Sequence, residues 1–181
     1  MGIARPPIDV KLIIAITFKD NLLLLDVKKR LQLLFGPIDL ESEIYDFLYT
    51  QYYAAEMGEG LKKQFITFKN LIKPNAIVAI KLLTNHLEKQ FLAADKRRIN
   101  IDPGYISSAK LVLATTKNYD HRIYLNKGIY GDVQLRMRDK HYRPNDWTYP
   151  DYRAPHSIAF FEKVKKHYLK QLKKKNGSNH V

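Results

Sequence analysis

Residues 10–18, VKLIIAITF, form a nearly continuous apolar run rich in β-branched residues. Such a run predicts a strand at the centre of a sheet, and the segments around it are read relative to it. Asp20 is a fitting N-cap for the next segment, where Leu23, Val27, Leu31 and Leu34 recur at helical spacing until Gly36-Pro37 ends it. Residues 38–48 alternate at Ile38, Leu40, Ile44 and Phe47 as a second strand, and residues 61–68 predict a third. Residues 50–60 between them read as a loop or a short helix. Pro74 opens a second long helix, with Ile77, Ile80, Leu83, Leu87 and Phe91 on one side. Ile99 and Ile101 face one way in a short fourth strand, and Asn100 and Asp102 face the other. Pro103-Gly104 is then expected to turn the chain, with Gly104 at positive φ and Asp102 capping the turn or the segment beginning at Ser107.

The order β-α-β-β-α-β predicts an α+β domain with a ferredoxin-like sandwich core, an antiparallel sheet with two helices on one face. Residues 107–116 read equally as helix or strand. His121–Leu125 and Tyr130–Arg138 predict an added hairpin around Asn126-Lys127-Gly128. Residues 144–155 are irregular and aromatic. A final amphipathic helix, about Ser157 to Lys174, carries Phe161, Val164, Tyr168 and Leu172 on one stripe. Residues 1–175 are expected to form one domain, and 176–181 a flexible tail.

The chain lacks cysteine, which excludes disulfides, thiol catalysis, cysteine-based zinc sites and iron–sulfur clusters. Neither a signal peptide nor a membrane-spanning run is read, so the expected compartment is the cytoplasm. A formal charge of +13 attracts anions, and the partners it predicts are nucleic acid or a nucleotide rather than a membrane. A homo-oligomer remains open.

The blocks INIDPGY, KLVLATTK, HRIYL, GIY and WTYPDY follow a VKL start and an FGPIDLES block. Together they resemble the prokaryotic family called domain of unknown function 4416, over Val10 to about Leu172. Some members of that family are labelled GTP-binding, so the resemblance raises guanine nucleotides without supplying catalytic residues. A P-loop, G-x-x-x-x-G-K-[ST], is absent. Thr116-Lys117-Asn118-Tyr119-Asp120 is close to a guanine-reading [NT]-K-x-D segment but has one residue too many.

The candidate ligand-binding residues are Arg98, Asn100, Asp102, Lys110, Lys117, Arg122, Tyr124, Arg136 and Arg138, and the catalytic candidates are Asp102 and His121. In the predicted hairpin, Ile123 and Leu125 face the core. Arg122, Tyr124, Arg136 and Arg138 share the outer face, with Gln134 outward as well, and that face suits RNA or a nucleotide. The rival reading is a small enzyme, with Asp102, Lys110, Lys117, His121 and Arg122 converging on a phosphate-binding cleft. A third is a structural or oligomeric module. Tyr45, Tyr49, Tyr52, Tyr53, Trp147, Tyr149 and Tyr152 either line a flat pocket or pack in the core. Lys81, Asn85 and Glu88 share one helix face, either as solvated surface or as part of a site if that face lies under loops. The histidines show no H-x-x-x-H or H-E-x-x-H spacing, so no metal site is expected, and no cofactor is named.

Overall fold

The apolar run is a strand: β1 (Val10–Phe18) is buried at every residue. It pairs antiparallel on both sides, with β4 (Lys62–Ile72) and with β5 (Ile99–Ile106). This computed structural model describes residues 2–49, 54–94 and 96–177. Lys11 of β1 is fully buried, and its ammonium is held by the Asp39 carboxylate and by Gln171 Oε1 at 2.9 Å. A charge that deep requires such partners.

α1 (Asn21–Phe35) begins where Asp20 accepts the Leu22 N–H at 2.8 Å. The expected strand over 38–48 is instead two short ones, β2 (Ile38–Glu41) and β3 (Tyr45–Asp46), both paired to β4. Ser42 breaks the ladder between them. Its N–H donates to the Phe65 carbonyl and its Oγ accepts the Phe65 N–H, each at 2.9 Å, so a side chain replaces a main-chain acceptor. A short helix, α2 (Ala54–Met57), precedes β4. Pro74 opens a single 3-10 turn that runs into α3 (Ile77–Lys89).

Residues 110–115, open between helix and strand, form β6 (Lys110–Thr115). The hairpin is present as β7 (Ile123–Asn126) and β8 (Ile129–Arg138). Lys127 and Gly128 both take positive φ, the turn geometry that suits a twisted two-stranded ribbon. β9 (His141–Pro144) pairs with the far end of β8. A short α4 (Pro150–Arg153) leads to α5 (Pro155–Gly177).

The fold is α+β, around a nine-stranded antiparallel sheet whose main path is β2-β4-β1-β5-β6-β8-β7. Leu12, Ile14 and Ile16 of β1 pack with Leu24, Val27 and Leu31 of α1 and Ile77, Ile80 and Leu87 of α3. Ile13 and Ala15 face the other way, onto Phe161 and Val164 of α5 and Tyr152 of α4. Among the described residues, no helix is long and apolar enough to cross a membrane.

One correction matters for the site. Pro103-Gly104 is not a turn: β5 runs straight through it, with Pro103 opposite Ile14 and Gly104 opposite Ile13. Gly104 lies outside the positive-φ residues. What it supplies is room, because a Cβ there would stand 2.8 Å from Leu113 Cδ2 and closer still to the Val112 carbonyl oxygen. Asp102 therefore caps nothing and sits within the strand.

Pro103 has a different consequence. Ile101 turns its N–H and C=O away from β1, to side chains of α3. Main-chain groups of an antiparallel strand alternate sides, so Pro103 presents its nitrogen to that same outer edge, toward β6. It has no N–H to donate. The β5–β6 ladder stops one residue away, at Gly104 opposite Leu113. β5 stays paired with β1 to Ile99, and β6 stays paired with β8 to Thr115. The sheet thus splits between two otherwise continuous strands.

Candidate functional site

The split opens into a cleft of about 390 Å³. Asn100 and Asp102 of β5 form one wall, Leu113 to Lys117 the other, and Lys81, Asn85 and Glu88 of α3 close the back. Asp102, Leu113, Lys117 and Tyr149 are shared with an adjoining aromatic chamber, which adds Phe47, Tyr49, Tyr119, Arg122 and Tyr152.

The main chain freed by Pro103 is satisfied from α3. Ile101 N–H donates to Glu88 Oε1 at 2.6 Å, and Lys81 Nζ donates to the Ile101 carbonyl at 3.3 Å. Lys81 also donates to Asp102 Oδ1 at 3.0 Å, and Asn100 Nδ2 donates to Asp102 Oδ2 at 2.6 Å. Arg97 Nη1 donates to Asn100 Oδ1 at 2.9 Å, and Arg97 Nε stands 3.4 Å from Glu56. Lys81 and Glu88 are buried, so the helix face that could have been solvated surface is part of the cleft.

These contacts set two carboxyls apart. Burial opposes ionisation of Asp102, but the Lys81 and Lys63 charges and the hydrogen bonds from Lys81 and Asn100 outweigh it, holding the carboxyl below its ordinary value. Its side chain is 27% exposed because it faces the open cleft from a deep position. Burial pushes Glu88 the other way, up to about 7, aided by the Asp102 charge and opposed by Lys81, the Ile101 N–H and Arg97. Two carboxyls with divergent proton affinity in one cleft are the arrangement that acid–base chemistry needs.

A second set of charges lies beneath the aromatic chamber. Arg122 Nε donates to Asp132 Oδ2 at 2.8 Å, and the two side chains are 2% and 1% exposed. Arg122 also donates to Tyr149 Oη at 2.7 Å and to the Lys117 carbonyl at 3.0 Å, and its guanidinium lies 4.5 Å from the Tyr119 ring centroid. Gln134, buried rather than outward, donates to Asp132 Oδ1 at 2.7 Å. Lys63 Nζ pairs with Asp151 at 2.6 Å and sits over the Phe47 and Tyr152 rings. Burial, first, and the Asp132 and Asp102 charges push Tyr149 up to about 12 against the pull of Arg122, so its hydroxyl stays protonated.

Of the sequence candidates, Asn100, Asp102, Lys117 and Arg122 meet here. His121 stands behind them, its ring stacked 5.0 Å from Trp147 and its Nε2 3.5 Å from Asp132 Oδ2 without a hydrogen bond. The others lie elsewhere. Arg98 Nη2 is 3.5 Å from Asp20. Tyr124 is exposed on β7 against Tyr130. Lys110 and Arg136 face each other at the opposite end of β6, and Arg138 lies beyond, opposite His141. The expected outer face of Arg122, Tyr124, Arg136 and Arg138 does not exist. β7 spans only the start of β8 as an edge strand, so Ile123 is 69% exposed while Arg122, just before it, turns inward to Asp132.

Tyr49, Tyr149 and Tyr152 line the aromatic chamber, Tyr45 packs on Phe65 and His156, and Tyr52 and Tyr53 lie outside the described residues. Thr116 and Lys117 line the cleft, but the Asp120 side chain is 99% exposed and bonded to His121 rather than turned inward. Lys63, Asp132 and Asp151 carried no sequence signal, since each lies in a strand or helix whose periodicity is set by apolar neighbours.

Glu88→Gln tests the electrostatics. Glu88 holds its proton more tightly folded than unfolded, so wild-type stability falls as pH rises from about 4.5 to about 7 through this group. The amide oxygen of glutamine still accepts the Ile101 N–H but carries no charge. Relative to wild type, the variant should gain about 3 kcal/mol in urea unfolding between pH 4.5 and pH 8. A wild-type-minus-variant difference that is flat across that range would contradict the buried, proton-holding carboxyl.

The family sequence model described as Domain of unknown function (DUF4416) matches residues 8–168, and the chain belongs to that family. Neither a curated protein nor a solved structure matches it.

Proposed function

We propose that this member of the domain of unknown function 4416 family binds a small phosphate-bearing, ring-containing ligand of the nucleotide type in the split of its sheet and acts on it by proton transfer. The observation that carries this reading is the convergence of Asp102, Lys117 and Arg122 with Lys81 and Glu88 on one continuous cleft. Buried ion pairs seldom raise stability, and three of them, Lys81–Asp102, Lys63–Asp151 and Arg122–Asp132, surround this one cavity. Such a concentration of buried charge around one cleft favours a functional site. The rim cations Lys89, Arg97 and Lys117 suit phosphate oxygens, and Tyr49, Tyr119 and Tyr149 suit a flat ring. Glu88 is the proton-transfer group, and Asp102, ionised, orients Lys81.

Two further readings belong with this one. The core path β2-β4-β1-β5, with α1 and α3 on one face, supports a ferredoxin-like topology extended by β6 to β9. The lack of cysteine supports a cytoplasmic setting.

Titration calorimetry with adenine and guanine nucleotides and with inorganic phosphate tests the function. Nucleotide should bind, and Lys117→Gln and Lys81→Met should each weaken it at least about tenfold, or about 1.4 kcal/mol. Wild-type protein that takes up neither nucleotide nor phosphate at millimolar concentration in low salt sinks the proposal.

A further inference from the structure

The cations at the two ends of β6 differ in their partners. Those at the cleft floor each have a carboxylate partner. At the other end of β6 the pattern reverses. Strand pairing sets Lys110 opposite Arg136, and Arg136 opposite Arg143, in one row across β6, β8 and β9. Arg138 follows two residues along β8, on the same face. All four are exposed, and among the described residues none of their side chains has an ion pair or a hydrogen bond.

Directly opposed cross-strand side chains stand about 5 Å apart at Cβ, and like charges there repel. The strand ladder holds this arrangement in place, so the cations cannot separate by moving their backbones. The lysines of α5 differ: Lys163, Lys166 and Lys170 sit at helical spacing on long, flexible stems that splay into water. A preorganised row of cations without counter-charges is a site for an anion, which relieves the repulsion on binding.

We infer that the Lys110–Arg136–Arg143 row, with Arg138, is a docking surface for the phosphate backbone of nucleic acid. Three strands at about 4.8 Å spacing make the row about 10 Å wide, which is more than one free phosphate covers and fits successive backbone phosphates. Among the described residues, β6, β8 and β9 expose no large apolar side chain, so the surface has nothing to insert into a bilayer. Its exposed ring is the His141 imidazole opposite Arg138, which is tied to Glu162 at 3.1 Å, so a duplex backbone suits the surface better than splayed single-strand bases. The surface lies at the opposite end of β6 from the cleft and is independent of the cleft's ligand.

The test is fluorescence anisotropy of the full chain with labelled 20-base-pair DNA and RNA duplexes at several salt concentrations. It compares wild type with Lys110→Gln/Arg136→Gln/Arg143→Gln and with a matched-charge control, Lys163→Gln/Lys166→Gln/Lys170→Gln. The row variant should lose at least about tenfold in affinity, and its log-affinity against log-salt slope should shrink by about 2 to 3. It should be no less stable in urea, because a repulsion has been removed. The control should change less than about threefold. The two duplexes show whether the backbone read is DNA, RNA or both. No duplex binding by wild type in low salt, an equal loss in the control, tighter binding to single strands, or binding confined to anionic vesicles would each overturn the inference.

Discussion

Arg122→Met should destabilise the protein by about 3–5 kcal/mol, read as a lowered urea midpoint with an unchanged slope. Among the described residues, the guanidinium is the one Lys or Arg charge paired with Asp132, whose side chain is 1% exposed. Methionine fills much of the volume but leaves that carboxylate with only the Gln134 amide at 2.7 Å and the His121 ring at 3.5 Å. The Lys117 carbonyl and the Tyr149 hydroxyl oxygen each lose the N–H donor that Arg122 supplies. Adding Asp132→Leu removes the uncompensated charge, so the double variant should recover most of the loss. It should not recover ligand binding, because the loop from Lys117 to His121 stays untied from the aromatic chamber. A single variant within about 1 kcal/mol of wild type would show that Arg122 is not the buried counter-charge described.

Gly104→Ala is the second large effect expected, about 3 kcal/mol, at the upper end for overpacking. The added methyl would meet the Val112 carbonyl and Leu113 Cδ2. A side chain can change rotamer, but the carbonyl belongs to the β5–β6 ladder, whose last pair is Gly104 with Leu113. Relief must come by parting the strands at the mouth of the cleft. Amide exchange should therefore quicken at Tyr105 and Val112 more than in β1. Uniform protection in the variant, or a loss below about 0.5 kcal/mol, would mean that the two strands are less close than the geometry states.

The same dipeptide shows where sequence reading stops. Pro-Gly after a short apolar alternation is a turn signal, and it misleads here because the chain has sheet on both sides. Gly104 is used for closeness, and Pro103 for its missing donor. Both properties belong to the residues, but which one matters depends on a neighbouring strand that begins six residues later. The hairpin shows the converse. Its turn was legible from Asn126-Lys127-Gly128, while the facing of Ile123 and Arg122 was not, because β7 is an edge strand with no layer over it.

The sequence by itself determined the central strand, both long helices and the Asp20 cap, the hairpin, the amphipathic final helix and the charge surplus. Each depends on a local pattern: apolar spacing, a capping side chain or a turn pair. Only the tertiary structure decided the cleft. Its contacts join Lys81 to Asp102, Arg122 to Tyr149 and Lys63 to Asp151, across 21, 27 and 88 residues. Apolar periodicity states which face of an element is buried. It does not state which buried polar groups will meet, because that depends on how the elements cross and on where one proline leaves two strands apart.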